Sequence, residues 1–329
     1  MNHVDVIMSL ANSEARRARG IFLLDYDDTM INNFPYIEIK KKSNKYIING
    51  YNYETHDNSP RMQLVCDYIK NVVFPNVDSN VNISGLYKIE LHDVIQENDK
   101  SDGGCFCFSR NKSSRDDYVL LPDAFQMQNY GGLLANYSDD ISWNKKSSRA
   151  LFCGTTTGLR NPMLNERLQA CDWAVRTARS YTDFYITKVA QMDMSDIIRC
   201  YPETCGTFFR NEYIPVEDHY KYKYLVNIAG NTCCWNRVAL IMNSKSLMLS
   251  TYQSDMCWYY PALCEGIHYS SVKLSGDNLY NTIQYYEQNP LEASIIVRNA
   301  NTFVKQYLSA TSVILYVTML YENIAHYFK

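Results

Sequence analysis

Residues 221–250 read KYKYLVNIAGNTCCWNRVALIMNSKSLMLS, and no other stretch limits the fold as much. A β-branched and aromatic run over 222–228 meets Gly230, Asn231 and Thr232. A helical apolar pattern then starts at Trp235, and a short apolar run follows at 247–249. This order predicts strand, tight turn, helix, strand, the repeating unit of a parallel α/β sheet. Such a turn aims backbone N–H groups and a helix N-terminus at whatever lies above the sheet, which is the geometry of an anion site. The same signal also describes an ordinary βα turn in an α/β core.

At 329 residues the chain is long enough for two α/β domains with a cleft between them. A polar NKKSS segment at 144–148 divides it into an N-terminal domain, 1-148, and a C-terminal domain, 149-329. The net charge of -3, with no strongly basic block, argues against a nucleic-acid binder and for a small anionic ligand. Eleven cysteines, an odd and scattered set without a CxxC pair, read as reduced thiols in a cytoplasmic setting; the histidines do not fall at zinc-ligand spacings from them. The N-terminal pattern Val4, Ile7, Met8, Ala11, Ala15, with Asp5 and Glu14 among them, lacks the character of a signal peptide. The apolar run 312–328, interrupted by Glu322, Asn323 and His326, is expected to be a buried closing helix and not a transmembrane span.

Along the first half the pattern predicts a hairpin over 36–50, a helix over 60–73 and strands at 83–91 and 105–109. In the second half it predicts a strand at 150–153, a helix from Pro162 to about Arg179, a loop over 200–216 and two helices beyond Pro290. Strands alternating with helices in both halves lead to parallel, doubly wound sheets.

Two further motifs carry chemistry. In ALFCGTTTGLRNP, residues 150–162, an apolar strand ends in Gly154, Thr155, Thr156, Thr157 and Gly158, and Arg160, Asn161 and Pro162 precede a helix. Small and hydroxyl residues let backbone approach oxygen atoms, and Arg160 offers a forked donor to phosphate. A polar turn whose Pro162 begins the next helix fits the same residues. In GLYKIELHDVIQ, residues 85–96, Asp93 stands at the carboxyl end of a strand, where either a general base or a turn-capping carboxylate belongs.

With these motifs in order, the chain resembles glycosyltransferase family 90, the CAP10-like capsule enzymes and the protein O-glucosyl- and O-xylosyltransferases. KIELHD resembles the family's strand ending in a base, CFCFSRNKSSRDDYVLLPDAF its aromatic-serine strand and proline loop, and FCGTTTGLRNP its FRGS-type loop. KYLVNIAGNTCCW resembles the KYLxNxxGN segment, HYSSVK at 268–273 the HYxxVK element, and Phe303, Leu308, Tyr316, Leu320 and Tyr321 the pattern of the last helices. The resemblance implies an α/β GT-B fold, two Rossmann-like doubly wound domains facing an interdomain cleft. It implies a UDP-sugar donor, a glycan or glycoprotein acceptor, inversion, and no metal or other cofactor. Asp93 is then the base. Gly154, Thr155, Thr156, Arg160, Asn161, Gly230, Asn231, Thr232, Trp235 and Arg237 are expected around the nucleotide.

Two departures stand out. Cys153 occupies the place of the arginine in the FRG pattern. Asn236 precedes Arg237 where many members carry an arginine, and a one-residue slip turns a helical side chain by roughly 100°. The Tyr-, Asn- and Cys-rich composition suits a large DNA virus or an alga, and a chlorovirus-type xylosyltransferase building capsid glycans is one identity it allows. A competing motif lies in IFLLDYDDTMIN, residues 21–32, where Asp25 and Asp27 match the nucleophile and acid of haloacid-dehalogenase-like, magnesium-dependent phosphatases, or the metal-binding aspartates of a GT-A transferase. A strand followed by an acidic turn is the preferred account of Asp25, Asp27 and Asp28, because Lys245 and the Gly276-Asp277 pair, the partners a phosphatase would need, fall in segments that the family resemblance already covers. A relative that binds nucleotide or glycan without turnover is the third alternative.

Overall fold

The computed structural model describes residues 2–18, 35–43, 45–52, 59–93, 105–113, 118–128, 134, 137–233 and 235–328. Asp25, Asp27 and Asp28 lie outside the described residues. The chain forms two compact units, Met1–Leu133 with Asp255–Ala262 and Gln306–Lys329, and Leu134–Ser254 with Leu263–Lys305. These units are drawn differently from a cut at 148. Residues 134–148 pack with the second unit, and two later segments return to the first.

The first unit opens with helix α1 (His3–Arg17), started by a capping box in which Asn2 and Asp5 exchange hydrogen bonds. Strands β1 (Tyr36–Lys42) and β2 (Lys45–Tyr51) form the expected hairpin, its turn made by Ser43 at φ 55°. Helix α2 (Ser59–Tyr68) runs into a π-helical turn, Ile69–Val73, and β3 (Gly85–Lys88) pairs antiparallel with β1. The main sheet here is therefore antiparallel, order β2-β1-β3, and the doubly wound parallel arrangement expected in this half is not what the described residues form. Among the described residues of this unit, parallel pairing is confined to a bridge from Ile89 to Phe106 and the short pair Phe106–Cys107 with Val119–Leu120.

The reason that distant segments join this unit is chemical. Arg110 makes a two-pronged ion pair with Glu14 of α1, at 2.6 and 2.7 Å and almost fully buried, and Glu14 also accepts the Leu120 N–H at 3.0 Å. The C-terminal helix Ala310–Phe328 buries Val313, Tyr316, Val317, Leu320, Tyr321 and Ile324, and its Tyr316 hydroxyl donates to the Leu120 carbonyl at 2.8 Å. Trp258 stacks on Tyr316 at 4.2 Å and donates to Gln126 Oε1 at 2.9 Å. The expected closing helix is thus an apolar core element. Among the described residues no single helix is long and apolar enough to cross a membrane.

The second unit is a five-stranded parallel sheet. Its strands are β4 (Ser147–Thr155), β5 (Thr182–Lys188), β6 (Tyr222–Asn227), β7 (Leu247–Ser250) and β8 (Ser270–Ser271), in the order β8-β7-β6-β4-β5. Helix α3 (Glu166–Trp173), prolonged by a π-helical turn Ala174–Ala178, links β4 to β5, and α4 (Trp235–Met242) links β6 to β7. Helices α5 (Asn278–Gln288) and α6 (Pro290–Tyr307) follow. Alternation along β4 puts Ala150 and Phe152 into a core with Leu168, Phe184, Tyr224 and Leu249. The strand order reverses between β4 and β6, so the crevice outside their carboxyl ends is the topological switch point of this sheet.

One buried acid sets a pH dependence. Asp123 caps the helical turn Ala124–Gln128 by accepting the Phe125 and Gln126 N–H groups at 2.9 and 3.0 Å, yet its Oδ2 is buried without a hydrogen-bond partner among the described residues. Burial pushes its carboxyl up to about 6, against the pull of those two N–H groups. A raised folded-state value means that the acid favours the folded chain most below the unfolded value near 4. This contribution, on the order of 3 kcal/mol, is lost as pH rises through about 6. Urea midpoints between pH 4 and 7.5 should therefore fall more for the wild type than for Asp123→Asn, in which that titration is removed.

Candidate functional site

The site is built from the two turns at the switch point. The apolar end of β4 delivers Gly154, where a Cβ would lie 3.0 Å from Arg237 Nη2 and 3.0 Å from the Phe152 ring, so only glycine fits without displacing them. Thr155 donates its hydroxyl to that of Thr157 at 3.2 Å. Thr156 is fully buried and ties the loop to the neighbouring strand end, its Oγ1 donating to the Ala190 carbonyl and accepting the Ala190 N–H, each at 2.7 Å. Gly158 takes φ 128° and donates its N–H to Asn231 Oδ1 at 2.9 Å, joining the loop after β4 to the turn after β6. Arg160 and Asn161 are exposed, and the Asn161 side chain accepts the Met163 N–H at 3.0 Å to start the turn Pro162–Leu164. Asn165 caps α3 and also donates to the Thr156 and Leu159 carbonyls, both at 3.0 Å.

Beneath both turns lies Arg167, 5 % exposed. Its guanidinium donates to the carbonyls of Thr155 at 3.1 Å, Ile228 at 3.1 Å and Ala229 at 2.8 Å, and to the Thr157 hydroxyl at 2.6 Å. Gly230 is the other half of this clamp, because a Cβ there would stand 2.8 Å from Arg167 Nη2 and 2.8 Å from Thr157 Oγ1. Thr232 is buried, its carbonyl accepting the Gly230 N–H at 3.0 Å, and Trp235 opens α4.

On the opposite side of the sheet from the Phe152 core, a cavity of ≈ 380 Å³ is walled by Leu151, Cys153, Leu225, Leu240 and Ile241, with Gly154 and Thr155 at one end. Asn236 and Arg237 both line it, so the one-residue slip does not take either out of the site. The Arg237 guanidinium sits 5.0 Å over the Phe152 ring. Among the described residues no hydrogen bond or ion pair holds it. Its charge is felt by its neighbours. His219, also on the wall, is pushed down to about 4 by burial and by Arg237, and so stays neutral near neutral pH. Burial pushes the Cys153 thiol up to about 12, with Arg237 opposing.

Asp93 belongs to the first unit. It is half-buried and paired with Arg61 at 2.8 Å, while Arg61 also donates to the Leu91 carbonyl at 2.6 Å and Ser109 donates to the Asp93 carbonyl at 2.6 Å. Of the expected residues in the second unit, the fold gathers Gly154, Thr155, Gly230, Asn231, Thr232 and Arg237 around the two turns. Thr156 is committed to the framework, and Arg160 and Asn161 stand on the outer surface of the loop. Arg167 and His219 did not emerge from sequence reading. A clue to the former was available, since an arginine in the first turn of a helix opposes the helix dipole and needs a tertiary reason. Among the described residues no three His, Cys, Asp or Glu side chains are grouped to hold a metal ion.

A doubly wound parallel unit with two clamped βα turns and a cavity at its switch point marks an α/β fold whose crevice is a candidate small-molecule site. Sequence comparison makes this more specific. The model for "Glycosyl transferase family 90" matches residues 126–329, and the chain belongs to that family. It is similar to protein O-glucosyltransferase 1 of Homo sapiens, 24% identical over 188 residues, 55% of this chain and 42% of that protein. O-glucosyltransferase LpsA of Dichelobacter nodosus is 22% identical over 136 residues, 41% of this chain and 42% of that protein. An uncharacterized protein, 035R, of Invertebrate iridescent virus 3 is 24% identical over 195 residues, 57% of this chain and 17% of that protein. The chain therefore spans well under half the length of these relatives. Among solved structures, sucrose-phosphate synthase from Thermosynechococcus elongatus overlaps 61% of this chain and 49% of its own at 12% identity and a TM-score of 0.35.

The clamp is open to a double-mutant test. Arg167→Met strands three carbonyls and a hydroxyl and should lower unfolding free energy by about 3 kcal/mol or more. Gly230→Ala alone should cost about 1–3 kcal/mol through overpacking. In the Arg167→Met background the second cost should shrink by about 1 kcal/mol, because the clashing group is gone. Strict additivity in urea unfolding would contradict the contact.

Proposed function

We propose that this chain is a UDP-sugar-dependent glycosyltransferase of the GT-B class that transfers glucose, or alternatively xylose, to a glycan or glycoprotein acceptor with inversion and without a metal ion. Family membership and the names of the O-glucosyltransferase relatives support the reaction class. The observation that carries the reading is Arg237, a guanidinium left without a hydrogen-bonding or ionic partner among the described residues, beside Gly154 at the cavity of the switch point. A half-buried cation of this kind is a receptor for an anion, and a diphosphate is the anion that a sugar-nucleotide presents there.

In this reading the cavity takes the nucleoside, and the diphosphate lies against the turn at Gly154 and Thr155 with Arg237 as its charged donor. As the glycosidic bond to UDP breaks, negative charge grows on the β-phosphate. A fixed guanidinium and oriented N–H groups stabilise that charge without reorganising. An acceptor hydroxyl attacking the anomeric carbon must lose its proton, and Asp93 is the proposed base. Arg61 holds the Asp93 carboxylate in one position. Inversion follows from a single displacement in which UDP departs from the face opposite the attack.

Turnover of UDP-glucose or UDP-xylose, followed as UDP release with and without acceptor, tests this. Activity should survive EDTA, and Asp93→Asn should lower kcat by roughly 10²–10⁴-fold with UDP affinity retained. Arg237→Ala should weaken UDP binding itself. Loss of activity in EDTA, or an Asp93→Asn variant that turns over normally, would overturn the corresponding part of the mechanism.

A further inference from the structure

A second polar cluster stands at the carboxyl ends of β6 and β7, apart from the arginines. Asn227 is 1 % exposed, Ser250 5 % and Gln253 8 %. Asn227 Nδ2 donates to Ser250 Oγ at 3.1 Å, and Ser250 Oγ donates in turn to the Thr251 carbonyl at 3.1 Å. Gln253 Nε2 donates to the same carbonyl at 3.0 Å. The Thr251 N–H and hydroxyl point back to the Asn227 carbonyl at 3.0 and 3.3 Å. The Thr251 carbonyl can only accept, which fixes the sense of the Gln253 amide, and Asn227 turns its nitrogen to the Ser250 hydroxyl. What remains is Asn227 Oδ1 and Gln253 Oε1, both buried and without a hydrogen-bond partner among the described residues.

Two buried acceptors without donors are costly unless a ligand or water supplies the donors. Their chemistry is selective. Two carbonyl oxygens repel phosphate and carboxylate, and they match neutral groups rich in O–H donors. They also lie at the carboxyl edge of the parallel sheet, where ligands of open α/β folds bind, and Asn227 is three residues before the Gly230 turn. We propose that Asn227 and Gln253 form the sugar subsite, accepting hydrogen bonds from hydroxyl groups of the transferred hexose or pentose. This rests on the UDP-sugar reading above and adds a specificity-determining pair to it. The phosphate side of the site is cationic, at Arg237, and the sugar side is a neutral acceptor surface.

The test compares UDP with UDP-glucose and its 2-, 3-, 4- and 6-deoxy analogues, by calorimetry, on the wild type and Gln253→Met. The wild type should lose roughly 10-fold in affinity for at least one deoxy analogue, as expected for one lost buried hydrogen bond. Gln253→Met should weaken UDP-glucose by a similar factor, leave UDP within about 2-fold, and no longer distinguish that analogue from UDP-glucose. If Gln253→Met does not fold, Asn227→Leu is put through the same cycle. A wild type indifferent to every deoxy analogue, or variants that weaken UDP and UDP-glucose equally, would overturn the subsite and leave ordered water only. Failure of the wild type to bind UDP at all would instead remove the UDP-sugar reading itself.

Discussion

Everything at the switch point depends on how Arg167 is buried. Taking a guanidinium out of water costs several kcal/mol unless its donors are met, and charge-assisted bonds to carbonyls return more than neutral ones. Arg167 meets that demand with carbonyl oxygens from the ends of two neighbouring parallel strands and with a threonine hydroxyl from the intervening loop. The charge can be accommodated only if both turns come together over it. That requirement explains features which otherwise look independent: glycine at 230, the left-handed Gly158 whose N–H reaches Asn231, and Asn165 spanning cap and loop. A rigid frame results in which the backbone of both turns is already placed before any ligand arrives.

That frame separates the roles of two arginines that both approach the Phe152 ring. Arg167 has its centre 5.9 Å from the Phe152 ring and spends its donors on the protein. Arg237 lies 5.0 Å from the ring and spends none on the described residues. Cation–π attraction to Phe152 holds Arg237 in place without using its N–H groups, so the fork is positioned and still available. Burial, helped by the Arg237 charge, keeps His219 neutral, so the imidazole adds no further cation beside Arg167 and Arg237 on the cavity wall.

Much of this fold was legible in the sequence because the second half repeats one pattern, an apolar strand, a small-residue turn and a helix. The strand expected at 150–153 is present over 147–155, the run at 222–228 forms strand 222–227, and the pattern from Trp235 forms helix 235–242, while the helix expected from Pro162 begins at 166 after a 3-10 turn at 162–164. The first half misled because alternation of strand and helix along a chain does not fix strand direction. The 36–51 hairpin reverses the chain at Ser43, and β3 then pairs antiparallel on its other side. Within the site, Gly154 and Gly230 stand out in local motifs, and Arg237 is singled out only by the family resemblance. The commitment of Thr156 to Ala190 and of Arg167 to the ends of β4 and β6 could not be read in this way, since both depend on backbone atoms distant in sequence. The same holds for the acceptor pair Asn227 and Gln253, whose meaning lies in which amide atoms are left over after the network closes.

Cys153 was expected to mark a missing charge, and the structure changes what that departure means. The cysteine side chain lies on the cavity wall, where its buried, protonated thiol acts as a small apolar surface. The cationic group beside Gly154 comes from α4 instead, with Arg237 Nη2 at 3.0 Å and Arg167 Nη1 at 3.6 Å from the position of a glycine Cβ. An arginine at 153 would therefore enter a space whose walls already carry Arg237, and two like charges in a half-buried cavity repel strongly. A small residue at 153 and an arginine at 237 without a hydrogen-bonding or ionic partner among the described residues are thus complementary choices: the first leaves its part of the wall apolar, and the second adds a cation to the Arg167 that also lines the cavity.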